Sequence, residues 1–245
     1  MGLGPIWTSR HHSAPAAEAL PAEPVVDVAA AALNAAGAED VITAPSKPPE
    51  QAVAMMDWTQ LKASVAICTK CGLCQGRTQS VFGVGDEKAR WLFIGEGPGR
   101  NEDLTGEPFV GKAGKLLDNM LLSMGLRRGD NAYIANIVKC RPTDATGKDR
   151  PPTPDETTAC MPYLERQIEL IQPTILVALG KTAALSLLGL DPDTPVSRLR
   201  GKVHQYAGRP LVVTYHPAYL LRNMADKKKT WADLCLAMAT YADAG

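Results

Sequence analysis

The sequence predicts an α/β protein, a three-layer α/β/α sandwich around a central, mainly parallel sheet of four strands. Apolar runs at Trp91–Ile94, Ala132–Val138, Thr174–Leu179 and Pro210–Tyr215 are each short enough for a strand buried on both faces. Helical patterns separate them, as crossovers between parallel strands require. The runs end in loops carrying Glu, Asn and His, at the carboxyl ends where open α/β sheets bind ligands.

Of the 245 residues, those from Met1 to about Glu50 are rich in Ala and Pro and poor in large apolar side chains. Such a segment cannot bury enough surface to offset its ordering entropy, so 1–50 is expected to be a disordered tail and 51–245 the folded domain. Lys and Arg number 26, as do Asp and Glu, so bulk charge does not announce a nucleic-acid partner. Its distribution does suggest a basic face: Arg198, Arg200, Lys202, Arg209, Arg222 and Lys227–Lys229 oppose a single acid, Asp226. No apolar run is long enough to cross a bilayer and no signal peptide opens the chain, so a cytoplasmic protein without a membrane partner is expected. In that compartment cysteines are read as metal ligands or buried thiols.

In chain order, a helical pattern from Gln51 sets Met55, Trp58, Leu61 and Val65 near one face and runs into Cys68, Cys71 and Cys74. A ferredoxin spacing would place a fourth Cys where Thr78 stands, so further ligands must come from far along the chain. The first predicted strand ends in Gly95-Glu96-Gly97-Pro98-Gly99, followed by Glu102 and Phe109: small residues for close approach, carboxylates, and a ring on which a flat ligand stacks. Arg100 stands where a dinucleotide fingerprint needs its third glycine, and Ile175 where a P-loop ending in Gly180-Lys181-Thr182 needs its first. Lys112–Met124 reads as a helix with Leu116, Leu117, Met120, Leu121 and Met124 inward and Gly125 beyond its end. The second strand holds a polar Asn136, which needs partners if buried, and leads to Cys140. Thr153-Pro154-Asp155-Glu156 forms a capping box opening a helix that carries Cys160 and that Pro162 should kink or split. Four thiolates from Cys68, Cys71, Cys140 and Cys160 suit [4Fe–4S] or zinc. A third strand precedes a helix over Lys181–Leu188, closed by Gly189, and a fourth ends at His216-Pro217. A last helix from about Lys229 to Tyr241 should bury Trp231, Leu234 and Met238, with Cys235 as a core thiol.

Several of these motifs, in order and spacing, resemble the family 4 (iron-sulfur) uracil-DNA glycosylases over roughly 55–242. They are Cys68-x-x-Cys71, Arg77-Thr78, Val81-Phe82-Gly83, Gly95 to Gly99 with Glu102-Asp103, Pro108-Phe109-Val110-Gly111, Asn136 to Pro142, Cys160, Ala178-Leu179-Gly180 and His216-Pro217. The resemblance implies hydrolysis of the N-glycosidic bond of flipped-out deoxyuridine in single- or double-stranded DNA, releasing uracil and leaving an abasic site for base excision repair. It implies a [4Fe–4S] cluster on Cys68, Cys71, Cys140 and Cys160 with Cys74 spare, and a structural role for it, because the hydrolysis needs no electron. Phe109 would stack on uracil beside Gly95 and Gly97, and the Asn136 amide would pair with N3–H and O4, a pattern that cytosine reverses. His216 would donate to O2 as charge develops there. Glu102 would shield C5 or orient water, with Glu96 supporting the loop. Tyr219, Leu220, Leu221 and Arg222 would approach DNA, an apolar side chain filling the vacated stack. A monomer is expected. Two other readings use the same cysteines and basic segment, a non-catalytic iron-sulfur or zinc DNA-binding module and a small redox protein; neither requires Glu96, Phe109, Asn136 and His216 together at loop positions.

Overall fold

The computed structural model describes residues 53–244, so the expected disordered tail over 1–50 lies outside the described residues. A short 3-10 turn, Val53–Met55, precedes α1 (Trp58–Ala66). That helix starts later than the apolar spacing predicts because Asp57 caps it: its carboxylate accepts the Gln60 N–H at 2.8 Å, and the Gln60 side chain accepts the Asp57 N–H at 2.9 Å. Met55 therefore lies outside the helix, exposed, while Met56 turns inward.

Then come β1 (Val84–Gly85), β2 (Trp91–Gly95), α2 (Arg100–Thr105), α3 (Lys112–Ser123), β3 (Ala132–Asn136) and α4 (Pro154–Ile171). The second half holds β4 (Ile175–Leu179), α5 (Lys181–Leu188), α6 (Val196–Leu199), β5 (Val203–Tyr206), β6 (Arg209–Thr214), α7 (Pro217–Arg222) and α8 (Lys227–Ala244). The sheet has six strands in the order β1-β3-β2-β4-β6-β5. Its middle four, β3, β2, β4 and β6, are parallel, as predicted, and each edge adds one antiparallel strand. β5 returns to β6 through Ala207 and Gly208, at φ +48° and +73°, the left-handed pair of a tight hairpin turn.

Alternate residues of the middle strands enter two cores. Leu92, Ile94, Tyr133, Ala135, Leu176 and Val213 meet Leu61 of α1, Leu164 and Ile168 of α4 and Ala183 of α5. Trp91, Phe93, Ile134, Val177 and Val212 meet Leu117 and Leu121 of α3 and Ala237 of α8. Two helical layers on one sheet make the three-layer sandwich.

Two expectations fail locally. Pro162 does not split α4, which runs through it for 18 residues; a helix loses one hydrogen bond there while Leu164, Gln167 and Ile168 stay buried. On α8 the buried face is Thr230, Asp233, Leu234 and Ala237, so Trp231 and Cys235, each one residue off that stripe, are exposed.

Candidate active site

The register places Gly95, the last residue of β2, directly beside Asn136, the last of β3. A Cβ on Gly95 would lie 2.5 Å from Asn136 Oδ1 and 2.6 Å from the Phe109 ring, so only glycine lets that amide and that ring share one pocket. The strand stops there: the Ile137 and Val138 N–H groups turn back to the Gly95 and Glu96 carbonyls at 2.9 and 3.2 Å. With β4 delivering Gly180 and β6 delivering His216, all four parallel strands end at this mouth. Glu96, Gly97, Glu102, Phe109, Asn136 and His216 line one pocket of about 220 Å³.

Phe109 is buried and held at φ +56°, a conformation L residues with bulky side chains avoid. Its neighbours supply the restraint. The Glu102 carboxylate accepts the Val110 and Gly111 N–H groups at 2.9 and 3.0 Å and the Gly99 N–H at 3.2 Å. Arg128 donates to the Pro108 and Phe109 carbonyls at 2.6 and 2.9 Å, itself held by Asp118 at 3.0 Å. A carboxylate on the N–H side and a guanidinium on the carbonyl side thus bracket the segment carrying the ring.

Glu102 is therefore committed to its own loop. Glu96 accepts the Thr182 hydroxyl through Oε2, and among the described residues its Oε1 has no protein partner. Asn136 is buried, and among the described residues its Oδ1 has no hydrogen-bond partner. A buried amide oxygen left unmatched costs stability unless a ligand donates to it.

The His216 ring lies 5.5 Å from the Phe109 ring, centroid to centroid, tilted by 31°. It caps α7, its Nδ1 accepting the Ala218 N–H at 3.1 Å, which leaves the proton on Nε2. Burial, reinforced by the Arg222 charge and opposed by Glu102, pushes its pKa down to about 4. The ring is a neutral donor at neutral pH. Gly180, at φ +94°, makes room for it: a Cβ would meet the His216 Cβ at 2.8 Å.

Behind β3 a second pocket gathers Cys68, Cys71, Cys74, Cys140 and Cys160. The Cys140 sulfur accepts from Arg77 Nη1 at 3.2 Å and the Cys160 sulfur from the Lys139 N–H at 3.3 Å. Such donors suit thiolates, so the side chains fit a sulfur-ligated group. Among the described residues no three His, Cys, Asp or Glu side chains close on the point a single ion would occupy.

The profile of the Uracil DNA glycosylase superfamily matches residues 82–236. The chain belongs to that superfamily. It is 49% identical over 160 residues to a Type-4 uracil-DNA glycosylase of Archaeoglobus fulgidus, covering 63% of this chain and 78% of that one. A Thermotoga maritima protein of the same description is 45% identical over 161 residues, covering 65% and 81%. A third, from Pyrobaculum aerophilum, is 39% identical over 189 residues, covering 74% and 93%.

The four residues expected from the sequence to approach DNA, Tyr219, Leu220, Leu221 and Arg222, divide in the structure. Leu220 is 1% exposed and anchors α7, so it is not available to enter a duplex; Leu221, 41% exposed, and Arg222 face outward. Tyr219 is half-buried, its hydroxyl donating to Asp226 at 2.7 Å. Sequence reasoning missed Arg128, Gly114 and Lys139. Gly114 sits in α3 where a Cβ would meet the Phe109 carbonyl oxygen at 1.6 Å, and a glycine on the inward face of a helix is a readable sign of such an approach. Lys139 is 2% exposed, and its Nζ donates to the Asn136 carbonyl at 3.0 Å and Gln167 Oε1 at 2.6 Å. Desolvation draws its pKa down to about 8.

Proposed function

We propose that this chain is a uracil-DNA glycosylase that hydrolyses the N-glycosidic bond of a flipped-out deoxyuridine. Relatives described as Type-4 uracil-DNA glycosylases, at 39–49% identity, support the activity. One observation carries the residue assignment: Asn136 Oδ1 is buried beside the Phe109 ring, with no hydrogen-bond partner among the described residues. An acceptor so placed takes the uracil N3–H, while the amide N–H faces O4; cytosine presents an acceptor at N3 and a donor at C4, and mismatches both.

The steps follow from the pocket. The base leaves its stack and lies against Phe109, over Gly95 and Gly97. As the bond to the sugar lengthens, negative charge grows on O2, and His216 Nε2–H donates to it. A neutral donor fixed by its own N-cap bond keeps its Nε2 proton and has no reorganisation to undergo, and such donors contribute roughly 3–4 kcal/mol. Water meets the cationic sugar from the side of Glu96, whose Oε1 is free to orient it. Glu102, already accepting three N–H groups, acts by holding the Phe109 segment.

Cys68, Cys71, Cys140 and Cys160 would hold a [4Fe–4S] cluster, which supplies a rigid cross-link and no electron to this hydrolysis. Five thiols lining one pocket, two of them accepting N–H donors, support a sulfur-ligated group there. The rest of the proposal is a monomer acting on DNA in the cytoplasm through a domain from about residue 51.

The test is uracil release from single- and double-stranded oligonucleotides, with thymine and cytosine controls. Cleavage at uracil alone, reduced at least 100-fold by Asn136→Ala or His216→Ala, is expected. Equal activity in those variants refutes the site, and zinc without iron in anaerobically purified protein refutes the cluster.

A further inference from the structure

We propose that the cleft next to the uracil pocket holds the nucleotide flanking the uracil, with its base stacked on Tyr219 and its phosphate at Lys181 and Arg222, so that the enzyme reads an unpaired strand. The inference rests on the glycosylase reading above and names a further subsite of the same substrate.

The cleft measures about 830 Å³ and adjoins the uracil pocket, with Glu96, Asp149, Arg150, His216 and Ala218 lining both. It is nearly four times the volume of its neighbour, more than one base requires. Its far wall carries Tyr215 and Tyr219, stacked at 4.8 Å between centroids and 28° apart. Arg200 lies 4.6 Å from the Tyr215 centroid. Tyr215 thus packs against both Arg200 and Tyr219. Tyr219 packs on Tyr215 and itself lines the cleft, next in the chain to the shared wall residue Ala218. Its orientation is fixed from the rim, because its hydroxyl donates to Asp226, which also pairs with Lys229 at 2.8 Å. A planar ring held in place at the edge of a nucleobase site is a platform for a second base, whatever its sequence.

Charge supports the same occupant. Among the cleft's ionic residues, Arg150 is paired with Glu156, Asp149 with Arg141, and Glu96 takes the Thr182 hydroxyl. Lys181 and Arg222 have no such partner among the described residues and are exposed, two cations available to one or two phosphates. A neighbouring base in a duplex is already stacked within its own helix. An aromatic face offered here gains most from a base with no such stack, which is the single-stranded case.

The experiment uses full-length protein and single-stranded oligonucleotides carrying one uracil, with the base on the 5′ side, the 3′ side, or neither replaced by a tetrahydrofuran abasic analogue. Removing the flanking base on one side should lower kcat/KM by about 5- to 150-fold in the wild type, the range that base–aromatic stacking spans. In Tyr219→Leu the same removal should cost less than 2-fold, and in Tyr219→Phe, which keeps the ring but loses the hydroxyl bond to Asp226, the dependence should return in part. Lys181→Gln should flatten the salt dependence of kcat/KM by about 0.7 in log–log slope. A wild type indifferent to either flank, or a flank dependence unchanged in Tyr219→Leu, overturns the proposal while leaving the glycosylase intact. No uracil release from any substrate overturns the glycosylase reading and this subsite with it.

Discussion

Gly114→Ala puts one methyl group into the most crowded point near the site. On the backbone of α3 the new Cβ would stand 1.6 Å from the Phe109 carbonyl oxygen and 2.9 Å from its Cα, where real Cβ contacts essentially never fall under 3.0 Å, so the two must part by at least about 1.4 Å. The helix is pinned by Leu117 and Leu121, both fully buried, so the Phe109 segment is the part that moves. Moving it breaks the Arg128 donation at 2.9 Å and pulls the ring off its position beside Gly95. A displacement of about 1 Å in a positioned group costs on the order of 100-fold in rate. Ala at a helix interior also gains roughly 0.5–1 kcal/mol over Gly, which partly offsets the collision. The expected variant is thus folded and about 100-fold lower in kcat/KM, with weaker inhibition by free uracil, read by single-turnover uracil release and by denaturant unfolding. Gly189→Ala is the control, because its Cβ meets nothing within 4 Å while its φ of +60° is strained; it should lose stability and keep its rate. Wild-type kcat/KM in Gly114→Ala would refute the claim that the Phe109 backbone is held by α3.

His216 titrates near 4, below its ordinary 6.5, chiefly through burial, so the neutral donor persists across pH 5–8 and kcat should fall on the acid side with a midpoint near 4. The unfolded chain takes up that proton first. The stability this group contributes is therefore complete above about 6.5 and lost as pH drops towards 4, measurable as falling unfolding free energy in that window. A pH–rate midpoint at 6–7 would assign the opposite protonation state. Leu220→Ala should destabilise by about 2–5 kcal/mol, because that side chain is fully enclosed. Leu221→Ala should leave stability within about 0.5 kcal/mol and weaken DNA binding; the reverse pattern in unfolding and gel-shift measurements would exchange their roles.

The four parallel strands were legible because burial on both faces leaves an uninterrupted apolar run. The edge strands were not: β1 has two residues, and β5 alternates exposed and half-buried residues without an apolar stretch. Loop residues that meet a ligand announce themselves by type, as Asn136 and His216 do in apolar or strand-end positions. Residues that act through backbone carbonyls do not. Arg128 reaches Phe109 across 19 positions, a link that no local pattern encodes. Adjacent leucines in the six-residue α7 likewise give no periodicity to choose between them, and only the packing of Leu220 decides it.

The segment from Asn136 to Pro142 explains why a hydrolase would keep four thiols beside its base pocket. Asn136 and Pro142 line the proposed uracil pocket, whereas Lys139 and Cys140, between them, line the thiol pocket. Lys139 spans both: its N–H donates to the Cys160 sulfur and its Nζ to the Asn136 carbonyl. A group ligated by Cys140 and Cys160 would therefore fix the middle of a strap whose two ends touch the base, and Arg77, which donates to the Cys140 sulfur and the Cys68 carbonyl, would tie in the N-terminal pair. Removing such a group by chelation should then act on the base pocket before it acts on the sheet. Hydrogen exchange should rise first in 137–142 and in the 68–77 loop, with inhibition by free uracil weakened, while the amides of β2 and β4, buried in both cores, stay protected. Global loss of protection in step with metal loss would make the thiols a folding nucleus of the whole domain. Unchanged uracil inhibition in metal-free, folded protein would cut the link between the two pockets.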